Sequence, residues 1–235
     1  MNYLAHLHIA DHCQSSLLGN LLGDFVKGDP DNQYVAPIAS GIRLHRLVDA
    51  YTDSHPVMQH AKQCFSADTR RFAPIALDMF WDHCLASQWD HYHDLSLSRF
   101  VRQAHQRVTQ EQVITIAKAT KFSEDAQFSE DTKFSETSAC SEASTVSATN
   151  MSPQPIALPE RFNRVSGAMW QGGWLESYAE LSNIEFALQR MSQRSVRMGK
   201  LAYCFDGLSR HYSRLTELFA ILYPDVLEKA KRSEL

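Results

Sequence analysis

The sequence predicts an all-α protein, a single helical domain interrupted by one low-complexity segment. Hydrophobic residues recur every three or four positions through most of the chain, and this spacing places them on one face of a helix. Residues that favour helices are plentiful, and the 9 glycines are scattered. A chain of 235 residues with 44% hydrophobic composition is long enough to bury one core.

The composition also indicates the compartment. Five cysteines are widely spaced and include no CxxC pair: Cys13, Cys64, Cys84, Cys140 and Cys204. This pattern argues against a disulfide framework and against a zinc ribbon, and it favours a reducing cytoplasm. The N-terminus, MNYLAHLHIADH, lacks the basic region of a signal peptide. No run of about 18 apolar residues exists, so no membrane partner is expected.

The low-complexity segment carries the net charge of −4. Six acidic and two basic residues lie between Lys121 and Pro155, so the remainder of the chain is balanced in charge. FSEDAQ, FSEDTK, FSETSA and CSEAST are imperfect copies of one unit over Phe122–Thr145. Their period fits neither a helix nor a strand. We therefore predict a disordered acidic insertion over residues 119–158, with 1–118 and 159–235 forming one helical catalytic domain.

The first helices carry histidines and one notable carboxylate. Ser15 or Ser16 can cap a helix that runs from Leu17 to Val26 and stops at Gly28 and Pro30. Asp24 lies at the edge of its apolar arc, where it either faces a cleft or is a plain boundary carboxylate. Ahead of this helix lie His6 and His8, which are either core residues or ligands.

The stretch 41–56, GIRLHRLVDAYTDSHP, predicts an amphipathic helix over Ile42–Asp53 that ends at the step before Pro56. The apolar face of this helix carries Leu44, Leu47, Val48 and Tyr51. On the other face, His45, Asp49 and Asp53 follow one another at four-residue intervals. An imidazole and carboxylates stacked in this way either share a metal ion or face water.

A helix over Ile75–Trp89 is apolar on every side and is therefore predicted to be buried. Asp78 and Asp82 lie one turn apart on it, so at least one carboxylate should be out of bulk water. An unpaired charge there would cost several kcal/mol, which a salt bridge to Arg70 or Arg71, or a metal ion, would offset. Acids and histidines on three helices favour the metal, and their oxygen-rich ligands suit Mn²⁺ or Mg²⁺.

The remaining pattern predicts amphipathic helices over Leu95–Ile116, over Leu181–Met191 and over Leu201–Tyr223. Two basic groups are either solvated helix faces or docking sites for an anionic partner: Arg43, Arg46, Arg70 and Arg71 in one, and Arg190, Arg194, Arg197 and Lys200 in the other. They lack the interleaved aromatic residues of a nucleic-acid groove, so no nucleic-acid partner is expected. No phosphate-cradling glycine loop is present either.

Six stretches together resemble the acyl carrier protein phosphodiesterase family, also called holo-acyl-carrier-protein hydrolases: NYLAHLHIA, SSLLGNLLGDFVKG, GIRLHRLVDAYTD, RRFAPIALDMFWDHCLA, WLESYAEL and HYSRLTELFAILYP. The resemblance implies a divergent HD-type phosphohydrolase fold and a divalent ion, typically Mn²⁺. It also implies cleavage of the phosphodiester that joins 4′-phosphopantetheine to a serine of holo-acyl carrier protein, which makes the carrier the protein partner.

Residues and resemblance together give the candidate site. The catalytic candidates are Asp24, His45, Asp49, Asp78 and Asp82. The candidate metal ligands are His6, Asp24, His45, Asp78 and Asp82. The candidate substrate-binding residues are Arg43, Arg46, Arg70 and Arg71. Two other functions stay open at this point: an HD-type hydrolase of nucleotides or other small phosphate esters, and a non-enzymatic helical module that binds an acidic partner.

Overall fold

The computed structural model describes residues 1–128 and 158–233, and all regular structure in these ranges is helical. The α-helices are α1 (Tyr3–His12), α2 (Leu17–Leu22), α3 (Ala36–Ser54), α4 (Pro56–Lys62), α5 (Ala73–Ser87), α6 (Leu97–Phe128), α7 (Glu160–Gln171), α8 (Trp174–Ser177), α9 (Leu181–Ser192), α10 (Cys204–Arg210) and α11 (Tyr212–Lys231). Short 3-10 turns cover Pro30–Asn32, Arg70–Phe72, Trp89–His91 and Val196–Leu201. The all-α prediction is confirmed. Among the described helices, none is both long and apolar enough to cross a bilayer.

Helices α1 and α5 lie side by side at the centre of the fold. Every residue of α1 from Leu4 to Ala10 is buried. On α5, Phe80, Trp81 and Leu85 are fully buried, as predicted for a helix that is apolar on every side. Helix α1 also packs against α2, α3 and α11, so its polar side chains face other helices rather than open solvent.

Helices α2 and α3 touch through their backbones. A Cβ atom on Gly19 would lie 2.4 Å from the carbonyl oxygen of Ile38, and one on Gly41 would lie 2.9 Å from the Cα of Gly19. Only glycine fits at these two positions. The Ser16 side chain caps α2 by accepting a hydrogen bond from the Gly19 N–H at 2.8 Å, as predicted for one of the two serines.

Helix α2 and the last predicted helix differ from their predicted boundaries. Helix α2 ends at Leu22 rather than at Val26, because the chain continues there in tight turns in which Phe25 and Val26 donate to the Leu22 carbonyl. The last predicted helix is divided at His211, whose backbone leaves the helical conformation. Its second part continues through Pro224 to Lys231, because Val226 and Ala230 are buried against the core.

Helix α6 reaches beyond its predicted end at Ile116. It runs to Phe128 and so enters the segment 119–158 that was predicted to be disordered. The remainder of that segment, from 129 to 157, lies outside the described residues. The division into one domain and one insertion stays a prediction.

Candidate metal centre and active site

Four of the predicted site residues come together from three parts of the fold. The Nε2 atom of His6, on α1, donates to Asp49 Oδ1 at 3.1 Å. The Nε2 atom of His45 lies 3.1 Å from Asp49 Oδ2 and 3.4 Å from Asp24 Oδ1. One donor atom from each of His6, His45 and Asp49 lies within 4.8 Å of the others, which is close enough to hold a single metal ion. We call His6, Asp24, His45 and Asp49 the four-residue cluster.

The cluster combines buried nitrogen donors with accessible carboxylates. The imidazole rings of His6 and His45 stack with centroids 3.8 Å apart, and their side chains are only 2% and 4% exposed. The side chains of Asp49 and Asp24 are 38% and 53% exposed. The Nδ1 atoms of both histidines are buried without a hydrogen-bond partner in the described part of the chain. Stacking and packing therefore hold the rings, while solvent reaches the carboxylates.

Gly23 makes room for the His45 ring. A Cβ atom at this position would lie 2.1 Å from His45 Cγ and 2.2 Å from His45 Cδ2. The Gly23 backbone is helical, with φ −49° and ψ −40°, so its conformation does not require glycine. The close approach of the imidazole alone excludes a side chain. Gly23 was not among the predicted site residues, although its position directly before Asp24 at a helix end was a usable signal.

The protonation of the cluster is uneven. Burial opposes a charge on both rings and, with the nearby charge of His45, lowers the pKa of His6 to about 4. For His45, hydrogen bonds to Asp24 and Asp49 outweigh burial and raise the pKa to about 9. The same hydrogen bonds hold the pKa of Asp24 below its usual range. Burial would raise the pKa of Asp49, but its hydrogen bonds to the histidines outweigh burial and hold that pKa below its usual range as well. The protonated His45 ring thus places one positive charge between the carboxylates of Asp24 and Asp49. A divalent cation at this position would balance their negative charges in the same way.

Asp78 and Asp82 lie at the start of α1 rather than among the cluster's donors. The α-amino group of Met1 donates to Asp78 Oδ1 at 2.8 Å and lies 3.6 Å from Asp49 Oδ1. Asp82 is fully buried and accepts hydrogen bonds from the backbone N–H groups of Leu4 at 2.8 Å and Ala5 at 3.1 Å. Both carboxylates hold the first turn of α1, which carries His6.

The predicted arginines are engaged with their own chain. Arg43 forms an ion pair with Asp31, and Arg46 donates to the carbonyls of Gly28 and Val26, both at 2.8 Å. The guanidinium of Arg70 donates to the Phe65 carbonyl, and that of Arg71 lies over the Phe72 ring. The structure does not gather these four side chains at the four-residue cluster.

Two further histidines fill polar positions in the core. His8 donates to the Tyr92 carbonyl and accepts from the Tyr223 hydroxyl. His83 donates to the Tyr178 carbonyl and accepts from the Tyr212 hydroxyl. Each of these two rings uses both of its nitrogens in hydrogen bonds within the core. Of His6 and His8, which both lie on α1, His6 is the one whose Nε2 atom points at the cluster.

Comparisons with known proteins give matches along nearly the whole chain. The family model described as acyl carrier protein phosphodiesterase matches residues 1–131 and 129–226. A relative from Photorhabdus laumondii is 34% identical over 235 residues, covering 100% of this chain and 97% of its own. Relatives from Yersinia enterocolitica and Escherichia coli are 35% and 32% identical over 236 residues, each covering 100% of both chains. All three are named acyl carrier protein phosphodiesterase. No solved structure matches the chain.

Proposed function

This chain belongs to the acyl carrier protein phosphodiesterase family, and on that premise we propose that it hydrolyses holo-acyl carrier protein. The bond cleaved is the phosphodiester between 4′-phosphopantetheine and a serine of the carrier, and the products are the apo carrier and 4′-phosphopantetheine. The single observation that carries the proposal is similarity over the full length to relatives of that name. We place the reaction in the cytoplasm, with the carrier as protein substrate.

The four-residue cluster fits a divalent cation, Mn²⁺ or Mg²⁺. Two imidazole nitrogens converge with carboxylate oxygens at 3.1 to 3.4 Å, and this mixed donor set suits Mn²⁺ well. When bound, such an ion supplies Lewis-acid chemistry, in which it offsets phosphoryl charge and acidifies water. His6, His45, Asp49 and Asp24 would hold it, and the buried rings fix the nitrogen donors in advance.

The protein's own side chains carry out the proton transfers of the hydrolysis. Hydrolysis adds the oxygen of water to phosphorus, breaks the bond from phosphorus to the serine oxygen, and returns a proton to that oxygen. Asp24 is the most exposed member of the cluster, and we propose that the carboxylate oxygen of Asp24 that does not hold the ion takes the proton of the attacking water. Asp78 and Asp82 support the site by holding the turn of α1 that precedes His6.

The test incubates the purified full chain and Mn²⁺ with holo-acyl carrier protein and measures the intact mass of the carrier. We expect the carrier to lose the phosphopantetheine moiety. Asp49→Asn should abolish the loss, while Asp53→Asn, on the same helix and exposed, should leave it intact. A parallel incubation with a nucleotide panel decides between substrates. Cleavage of nucleotides with an unchanged carrier mass would contradict the proposal.

A further inference from the structure

The second basic group of the sequence, at the end of α9 and just after it, is not used by the candidate site. Arg190, Arg194 and Arg197 are all exposed, and none of them forms an ion pair with a described residue. Lys200, the fourth member of the group, differs because its ammonium lies 3.1 Å from an aspartate carboxylate. No acidic residue occurs between positions 186 and 205, so nothing within this stretch balances the three guanidinium charges.

Two large apolar side chains are exposed among these arginines. Phe186 is 57% exposed, and Val196, which lies between Arg194 and Arg197 in the chain, is fully exposed. The guanidinium carbon of Arg190 lies 5.7 Å from the centroid of the Phe186 ring, so a cation and an aromatic ring are in contact on α9. Exposed apolar side chains grouped with arginines are typical of a protein-binding surface.

The backbone that carries these side chains is held by the core. Ile184 and Leu188 of α9 are buried, and helical spacing turns Phe186 and Arg190 to the opposite side of the helix. The 3-10 turn Val196–Leu201 packs against α9 and ends in a buried leucine. The exposed side chains are therefore presented by a fixed part of the fold. We call the five of them the docking surface: Phe186, Arg190, Arg194, Val196 and Arg197.

The chemistry of the docking surface favours an acidic protein segment over a lipid bilayer or a nucleic acid. The apolar face of α9 is buried in the core, so this helix has no apolar face to insert into a bilayer. The phosphates of a nucleic acid would pair with the arginines but would leave Val196 without apolar cover. An acidic protein segment that also carries apolar side chains supplies carboxylates to the guanidinium groups and covers Phe186 and Val196.

We propose that the docking surface binds an acidic, partly apolar segment of the carrier protein. The inference rests on the proposed function for the identity of the partner, while the chemistry of the bound segment follows from the surface itself. Pairs between arginines and carboxylates would steer and orient the carrier as it binds. Phe186 and Val196 would supply the contacts from which water is excluded.

The probe is apo-acyl carrier protein, which has no phosphodiester to cleave, and its binding to the purified full chain is measured by titration calorimetry. Replacing both Arg194 and Arg197 with glutamine should weaken binding at least about fivefold, since two exposed ion pairs are lost. Phe186→Ser should weaken it about tenfold, as expected when an aromatic contact is truncated. Raising NaCl from about 50 mM to about 300 mM should weaken binding by the unaltered chain more than binding by the double variant.

Replacing both Arg99 and Arg102 with glutamine is the matched control. These two arginines of α6 are also exposed, also lie three residues apart, and form no ion pair with a described residue. The control removes the same net charge and should bind apo-carrier within about twofold of the unaltered chain. Equal urea midpoints for all variants would show that folding is unaffected.

Three results would overturn the inference. The first is equal weakening by the two double variants, which would mean that only net charge matters. The second is an unaltered chain that does not bind apo-carrier at about 1 mM. The third is binding that depends on Arg194 and Arg197 to mixed-sequence DNA or to vesicles of anionic lipid, by a chain that does not bind apo-carrier in this way.

The outcomes separate this inference from the proposed function, because binding of apo-carrier involves no turnover. Binding that depends on the docking surface, in a protein that leaves holo-carrier unchanged, would overturn the proposed function and uphold the surface. Hydrolysis of holo-carrier by a protein whose binding of apo-carrier ignores the docking surface would do the reverse.

Discussion

Replacing Gly23 with alanine is the most direct test of how the candidate site is built. The new Cβ atom would lie 2.1 Å from His45 Cγ, whereas ordinary contacts between such atoms begin near 3.4 Å. The imidazole would have to move by more than 1 Å, on the order of the precision that a site of this kind requires. His45 cannot make that shift and keep its Nε2 atom 3.1 Å from Asp49.

The expected effect on stability combines two opposing terms. Gly23 has a helical backbone, which alanine adopts without strain. Alanine there would by itself stabilise the fold by about 0.4 to 1 kcal/mol, because it reduces the conformational entropy of the unfolded chain. Overpacking against a buried side chain costs about 1 to 3 kcal/mol. We expect Gly23→Ala to be destabilising by about 1.3 kcal/mol, the difference between the midpoints of these two ranges.

A double-mutant cycle isolates the contact with the imidazole. His45→Gly removes the three His45 atoms nearest to the new methyl group, so Gly23→Ala should be neutral or stabilising in that background. Urea unfolding followed by tryptophan fluorescence gives each free energy of unfolding. Calorimetric titration with Mn²⁺ should show binding lost or weakened at least tenfold in Gly23→Ala. Gly167→Ala, where a Cβ would meet no atom within 4 Å, is the control and should leave metal binding unchanged.

Two results would refute this reasoning. The first is an equal effect of Gly23→Ala on stability with and without the His45 ring, which would mean that the methyl group acts on something else. The second is unaltered Mn²⁺ binding by Gly23→Ala, which would mean that His45 is not a ligand where the structure places it.

Three further predictions concern the same region. Burial raises the pKa of Asp82 to about 7 from 3.8, so the folded chain holds a proton that the unfolded chain has released between about pH 4 and pH 7. Stability should therefore fall as pH rises through that window by up to about 1.4 kcal/mol per unit, and urea titrations should show a shallower dependence in Asp82→Asn. Asp49→Asn should bind Mn²⁺ at least tenfold more weakly by calorimetry, whereas an unchanged affinity relative to Asp53→Asn would exclude Asp49 as a ligand. Arg46→Ala should cost about 1.5 to 3 kcal/mol of stability, because the guanidinium donates to two backbone carbonyls. Arg43→Ala loses only an exposed ion pair and should cost no more than about 1 kcal/mol. A larger loss of stability in Arg43→Ala than in Arg46→Ala, measured by urea unfolding, would contradict this.

Local sequence pattern predicted the parts of the site that depend on a single helix. His45 and Asp49 are four residues apart on α3, and the structure places their side chains together on one face. The apolar residues on every side of α5 predicted that at least one of its carboxylates is out of bulk water. The structure confirms this, since Asp82 is fully buried. Both inferences need only helical geometry.

The partners of these groups depend on how helices cross, which local pattern does not encode. Asp82 meets backbone N–H groups of α1, a contact between residues 77 and 78 positions apart in the chain. The pairing of His6 with Asp49 likewise requires α1 to lie beside α3. Long-range packing, rather than local propensity, decides all of these positions.

The contact between Gly19 and Gly41 leaves no side-chain layer between α2 and α3. Without such a layer, no side chains at this crossing can repack. We therefore expect α2, which precedes Asp24, and α3, which carries His45, to move as one rigid body. If the four-residue cluster holds an ion, as proposed, that ion could leave and return without the coordination geometry being rebuilt each time. Loading of the empty protein should in consequence be fast and fully reversible, with no slow refolding phase.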